Sequence, residues 1–146
     1  MSEEELFVGA MQAYDRYAEL QERLQREMGQ GFEGVARARF ANPRGITALE
    51  YDTRRMRATV RVEVNGEDGE EGRPHCVLVK GEKEEEKGEE EGARVRPAQW
   101  FGYLVPEGLR AAEKHFAASL ELVAQLADAL IETRLKSDAF LARARP

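Results

Sequence analysis

Reactive side chains are nearly missing from this chain. One cysteine, Cys76, and two histidines, His75 and His115, stand among 146 residues. A lone cysteine excludes an internal disulfide framework and fits a reducing compartment. His75 and Cys76 are neighbours, and adjacent residues of a strand point to opposite faces, so the pair does not converge. Nor does it supply the four ligands of a structural zinc site. His115 falls at the edge of an apolar helical stripe, and all three residues read as structural. No stretch approaches the ~20 apolar residues of a membrane span, and the acidic opening over residues 1–5 is not a signal peptide. No glycine-rich loop separates a strand from a helix, which removes a phosphate cradle. Carboxylates abound, but in runs or on helix exteriors where nothing makes them converge. The residues therefore argue against an enzyme and for no cofactor, metal or small-molecule substrate. They place the chain in the cytosol.

Aromatics are also scarce, at 8% against 34% charged residues, which suits an extended helical protein better than a compact enzyme. The formal charge of −6 is unevenly spread: residues 63–92 carry 12 acids and 4 bases, and residues 31–62 carry 3 acids and 7 bases. Arg37, Arg39, Arg44, Arg54, Arg55 and Arg57 are the candidates for contact with an anionic surface, lipid headgroups or nucleic acid; a plain solvated surface is the alternative. The net negative charge and the lack of a recognised module weigh against nucleic acid.

What is present is helical periodicity at both ends. Ser2 with Glu5 forms a capping box, and Glu3 to Glu5 suit the positive end of a helix dipole. Apolar residues then recur in steps of three and four at Phe7, Ala10, Tyr14, Tyr17, Leu24 and Met28, flanked by Leu6, Ala13 and Leu20. Gly29 and Gly31 end this first helix, and Phe32 to Ala41 makes a short second one, stopped at Asn42-Pro43. Residues 46–51 fit either an extended segment or a single turn. Ala58 to Val64 alternates with period two, and Cys76 to Val79 is a second strand, giving a small hairpin. Residues 81–93 are an acidic low-complexity run that cannot bury enough surface to order itself. After Pro106 a long helix is predicted from Glu107 to about Ala142, with Leu109, Ala112, Phe116, Ser119, Val123, Leu126, Leu130 and Thr133 on its stripe and Leu120, Leu122, Ala127 and Ile131 widening it.

The expected fold is mainly α: an antiparallel helical hairpin or coiled coil of two long terminal helices, with a short middle helix and a small β-hairpin insert. Within one domain, residues 1–30 form the first helix and 31–80 the short helix and hairpin. Residues 81–96 are an acidic disordered linker, and 97–146 carry an aromatic segment and the long last helix. That segment, Pro97 to Phe116, holds the only tryptophan. Trp100 and Phe101 either close the helix N-terminus as a staple or protrude as partner anchors. Gly102 between the aromatics permits a backbone conformation or a close approach that a side chain forbids.

Trp100-Phe101-Gly102, Leu104-Val105-Pro106, Leu109-Arg110, Ala112 and Phe116, leading into a long Leu/Ala-rich helix, resemble the C-terminal signature of a vacuolar proton-ATPase assembly factor family. This is the family of the soluble endoplasmic-reticulum assembly protein of fungi and its metazoan coiled-coil counterpart. Ala48 to Asp52, with Ala38-Arg39-Phe40 before it, is a second echo of that family; the first helix is similar in position and periodicity only. The resemblance implies a non-enzymatic assembly factor for the membrane (Vo) sector of the pump. It implies a heteromeric complex with a membrane-embedded assembly partner, transient binding to membrane-sector subunits, and a peripheral place on the cytosolic face of the endoplasmic reticulum. The signature residues Trp100, Phe101, Gly102, Leu104, Val105, Pro106, Leu109, Arg110 and Phe116 then bind the partner or support the fold. The competing reading is a generic homodimeric coiled-coil scaffold; an anionic-lipid or nucleic-acid module ranks behind both.

Overall fold

The computed structural model describes residues 2–46, 58–65, 75–80, 96–102 and 104–144. Helix α1 spans Glu3–Ala41, strands β1 and β2 span Val60–Asn65 and His75–Lys80, a 3-10 turn covers Pro97–Phe101, and helix α2 spans Glu107–Ala144. The strands form one two-stranded antiparallel sheet. This is the expected helical hairpin with its small β insert. The run over residues 81–93, Ala48 to Asp52, and Arg54, Arg55 and Arg57 lie outside the described residues.

The capping box closes as the sequence implies: the Ser2 amide donates to Glu5 Oε2 at 2.6 Å, and the Glu5 amide donates to Ser2 Oγ at 3.2 Å. The expected break at Gly29 and Gly31 does not occur. The helix runs on, and the short middle helix is its last turns. Each interior glycine costs about 1 kcal/mol of helix propensity. Gly31 and Gly34 nevertheless face α2, where their missing side chains permit a contact that outweighs this. At the far end Asn42 stops the helix, its side-chain oxygen accepting from the Gly45 amide at 3.2 Å. At the start of α2 the Pro106 carbonyl accepts from the amides of Leu109 and Arg110, so proline stands immediately before the first turn, where it has no N–H to lose.

Two compact units make up the chain, and each long helix contributes its larger part to the first and the remainder to the second. The first consists of Met1–Arg26, Glu63–Val77 and Leu120–Pro146. Its seam on α1 is Leu6, Ala10, Ala13, Tyr17, Leu20 and Leu24; on α2 it is Leu122, Leu126, Ala129, Thr133, Lys136 and Phe140, all buried or half-buried at steps of three and four. Leu20, Leu122 and Ala129 form the centre, with Tyr17, Leu24 and Leu126 packed on them. The Phe7 and Phe140 rings meet at 5.5 Å.

The seam shares Ala10, Tyr17, Leu24, Leu126 and Thr133 with the stripes expected from sequence but takes flanking residues in place of the others. Leu122 is 6% exposed and Ala129 2%, whereas Val123 is 47% exposed and Leu130 52%. Phe7 and Tyr14 likewise stand beside the seam rather than in it. The reason is continuity of pattern. A stripe through Phe7 and Tyr14 runs into Gln21 and Gln25, and one through Val123 and Leu130 runs into Arg134. Burying such groups unpaired costs several kcal/mol, roughly 2–7 for an amide.

The second unit consists of Glu27–Val62 and Leu78–Ser119. Its seam is Glu27, Gly31, Gly34 and Ala38 against Gly108, Ala112, His115 and Ser119. A methyl group placed on Gly34 would sit 2.7 Å from the Gly108 carbonyl oxygen, and one on Gly108 would sit equally close to that of Gly34. The backbones touch here, and only glycine fits. Beside this contact Ala38, Ile46, Ala98 and Leu109 form a core, with Val35, Phe101 and Val105 packed on it. Phe32 and Phe116 meet edge to face at 5.3 Å, a favoured aromatic geometry. A polar pair interrupts the seam, His115 Nδ1 lying 2.8 Å from Glu27 Oε2. The buried Ser119 hydroxyl is satisfied within its own helix by the His115 carbonyl at 2.9 Å.

Candidate protein-interaction face

In an antiparallel helix pair, advancing one residue from a seam position rotates both helices about 100° toward the same side. In the first unit the residues one step C-terminal to the seam are Phe7, Met11, Tyr14, Ala18, Gln21 and Gln25 on α1, and Val123, Ala127, Leu130, Arg134, Ser137 and Leu141 on α2, with Leu120 one step beyond Ser119. The flank is polar at Gln21, Gln25, Arg134 and Ser137, and the other nine residues are its apolar part. Apart from the two alanines, all of them are exposed. A face this large is worth about 25 cal/mol for each Å² removed from water, so leaving it open forfeits several kcal/mol.

The opposite flank, one step N-terminal to the seam, is polar: Gln12, Arg16, Glu19 and Arg23 on α1, with Glu121, Gln125, Asp128 and Glu132 on α2. Arg16 pairs with Glu132 at 3.5 Å. Asp128 holds the start of β2: Oδ1 accepts the Cys76 amide at 3.1 Å, and Oδ2 lies 2.6 Å from His75 Nδ1. Thus β2 is fastened to the charged flank and the apolar flank stays uncovered among the described residues. The sequence reading missed both features. The Asp128 clasp has no local signal, because its members are far apart in the chain. The open face was within reach: the apolar heptad from Leu6 to Leu24 fixes the seam, and the adjacent stripe follows from it.

The aromatic segment belongs to the second unit, and its residues divide by direction. Phe101 and Val105 pack on the core, Leu109 is part of it, and Phe116 lies on Phe32. Trp100 is half-buried, with its indole Nε1 enclosed and without a hydrogen-bond partner among the described residues. Gly102 has φ +122°, a conformation suited to glycine, and open space around it, so backbone shape rather than crowding requires it. Leu104 and Arg110 point outward, Leu104 being 95% exposed. Of the arginines proposed for an anionic surface, Arg37 is tied to Glu33 at 2.6 Å, while Arg39 and Arg44 are exposed. Among the described residues no three His, Cys, Asp or Glu side chains gather as a metal site requires, and no helix is long and apolar enough to cross a membrane.

The sequence profile of the Vma22/CCDC115 family matches residues 4–96, well over half of the chain. The match takes in α1, the middle segment with Ala48 to Asp52, and both strands. It stops short of the 3-10 turn, so the aromatic signature lies beyond it. No curated protein matches the chain. The long hairpin and a match of this extent agree, and the chain belongs to the Vma22/CCDC115 family of V-ATPase assembly factors.

Proposed function

We propose that this chain is a non-enzymatic assembly factor for the Vo sector of the vacuolar proton pump. It acts on the cytosolic face of the endoplasmic reticulum in complex with a membrane-embedded assembly partner, and it touches membrane-sector subunits transiently. Assembly-factor families are generally non-catalytic, which supports the reading. The observation that carries it is the open apolar face of the first unit. Exposed apolar stretches on one flank of two antiparallel helices, Phe7 to Ala18 on α1 and Leu120 to Leu130 on α2, are surfaces on which an amphipathic helix packs, as in a three- or four-helix bundle. The occupant is therefore a helix of the partner, with apolar residues at i, i+3, i+4 and i+7. The aromatic signature serves this indirectly, Phe101, Val105 and Leu109 fixing the start of α2 from within.

The test is recovery of the partner from mildly solubilised membranes with tagged chain, wild type against Met11→Glu/Val123→Glu. Both positions are exposed, so the variant keeps its helical content. It should lose the membrane partner and the Vo subunits together, whereas Arg23→Glu on the charged flank should keep them. Recovery of neither by the wild-type chain, or equal recovery by the face variant, would overturn the reading. A homodimeric scaffold would instead use the same face to pair with itself. Light scattering of the purified chain separates the two, with a monomer expected here.

A further inference from the structure

Phe40 and Leu104 are the most exposed of the large apolar side chains, at 90% and 95%. Isolated exposed hydrophobics are ordinary, but these two share one end of the second unit. Phe40 is two residues from Ala38 and Leu104 is next to Val105, and both neighbours belong to the same small core. Leu104 does not dangle. Gly102 with its positive φ precedes it, and Val105, anchored beneath, and Pro106 follow. The last turn of α1 fixes Phe40 in the same way.

Arginines stand close to them in the chain. Arg39, Arg44 and Arg110 are exposed and make no ion pair among the described residues. Nearby Glu33 and Glu113 are occupied by Arg37 and Arg96, which leaves Glu107 as the opposing carboxylate at this end among the described residues. Two separate prongs among cations do not make the contiguous patch that a stable protein interface needs. A leucine gives nucleic-acid bases no stacking surface. Apolar tips among arginines are instead the pattern that suits an anionic headgroup layer.

We infer that this end of the second unit contacts an anionic bilayer directly, with Phe40 and Leu104 entering the headgroup layer while Arg39, Arg44 and Arg110 meet lipid phosphates. Each arginine contributes about fivefold to binding, and each prong about tenfold. The test is co-flotation of the purified chain with phosphatidylcholine vesicles containing about a third phosphatidylserine, with no protein partner present, so its outcome is independent of partner recovery. Binding is expected to fall with rising salt and to be weak on pure phosphatidylcholine. Phe40→Ser/Leu104→Ser should weaken it by about a hundredfold and Arg39→Glu/Arg44→Glu by about twenty-five-fold or more. Both variants keep wild-type circular dichroism, since every altered side chain is exposed. No binding at low salt, equal binding to neutral vesicles, unchanged binding by either variant, or full displacement by single-stranded RNA would overturn the inference.

Discussion

Single glycines show how differently one residue type acts along one helix. At Gly29 an added methyl group meets nothing within 4 Å, so Gly29→Ala should stabilise the chain by about 0.5–1 kcal/mol through helix propensity alone. At Gly34 the same methyl group meets the Gly108 carbonyl at 2.7 Å, and a backbone cannot step aside as a side-chain tip can. Overpacking of about 1–3 kcal/mol then opposes the gain in propensity, and Gly34→Ala should lower stability. Gly31 lies between the two cases, because its obstacle is the edge of the Phe116 ring, which can turn. Urea denaturation of the variants gives the order directly: Gly29→Ala above wild type, Gly34→Ala below it. An increase at Gly34 would mean that the helices are not in backbone contact there.

At the scale of the element, the phase of the seam decides which leucines matter. Leu122→Ala should cost about 2–4 kcal/mol, as core truncations do, while its neighbour Val123→Ala should cost under about 0.5 kcal/mol. Thermal melts of the pair distinguish this seam from one shifted by a residue. The polar layer of Glu27 and His115 has a different task. Polar groups at seam positions fix register at some cost in stability. Replacing both with leucine should leave the chain at least as stable but make it associate with copies of itself, visible as a concentration-dependent mass in analytical ultracentrifugation.

Much of this scale was legible in the sequence. A period-two run gave the first strand and the apolar run Cys76 to Val79 the second. The Ser2–Glu5 box gave the start of α1, and Asn42-Pro43, expected to stop a separate short helix, marks its end. Three- and four-residue steps gave the two long helices and their antiparallel pairing. The seam phase was misread because bulky residues draw the eye more than glycine and alanine do. In this hairpin the small residues mark where the helices approach. Gly29 and Gly31 looked like terminators because propensity is local, whereas the contact that retains Gly31 comes from Phe116 of α2, far along the chain. The candidate face was hidden by the same misreading, since Phe7, Tyr14, Val123 and Leu130 were assigned to the interior they border.

For the molecule as a whole, the two flanks of the first unit have separate uses. Asp128 fastens β2 to the charged flank through two bonds to neighbouring residues, and a two-stranded sheet needs such support because it is only marginal by itself. Asp128→Ala should therefore speed amide hydrogen exchange in β1 and β2 well before it alters that of α1 and α2. Unchanged exchange in the strands would show that the sheet is held by other means. With one flank occupied by its own strands and the other open, the first unit is a terminus rather than a link. A helix that fills the open side would cover Phe7, Met11, Tyr14, Val123 and Leu130, the exposed apolar residues of that flank. Complexes built on this unit are then expected to be discrete, which a single mass in analytical ultracentrifugation would check.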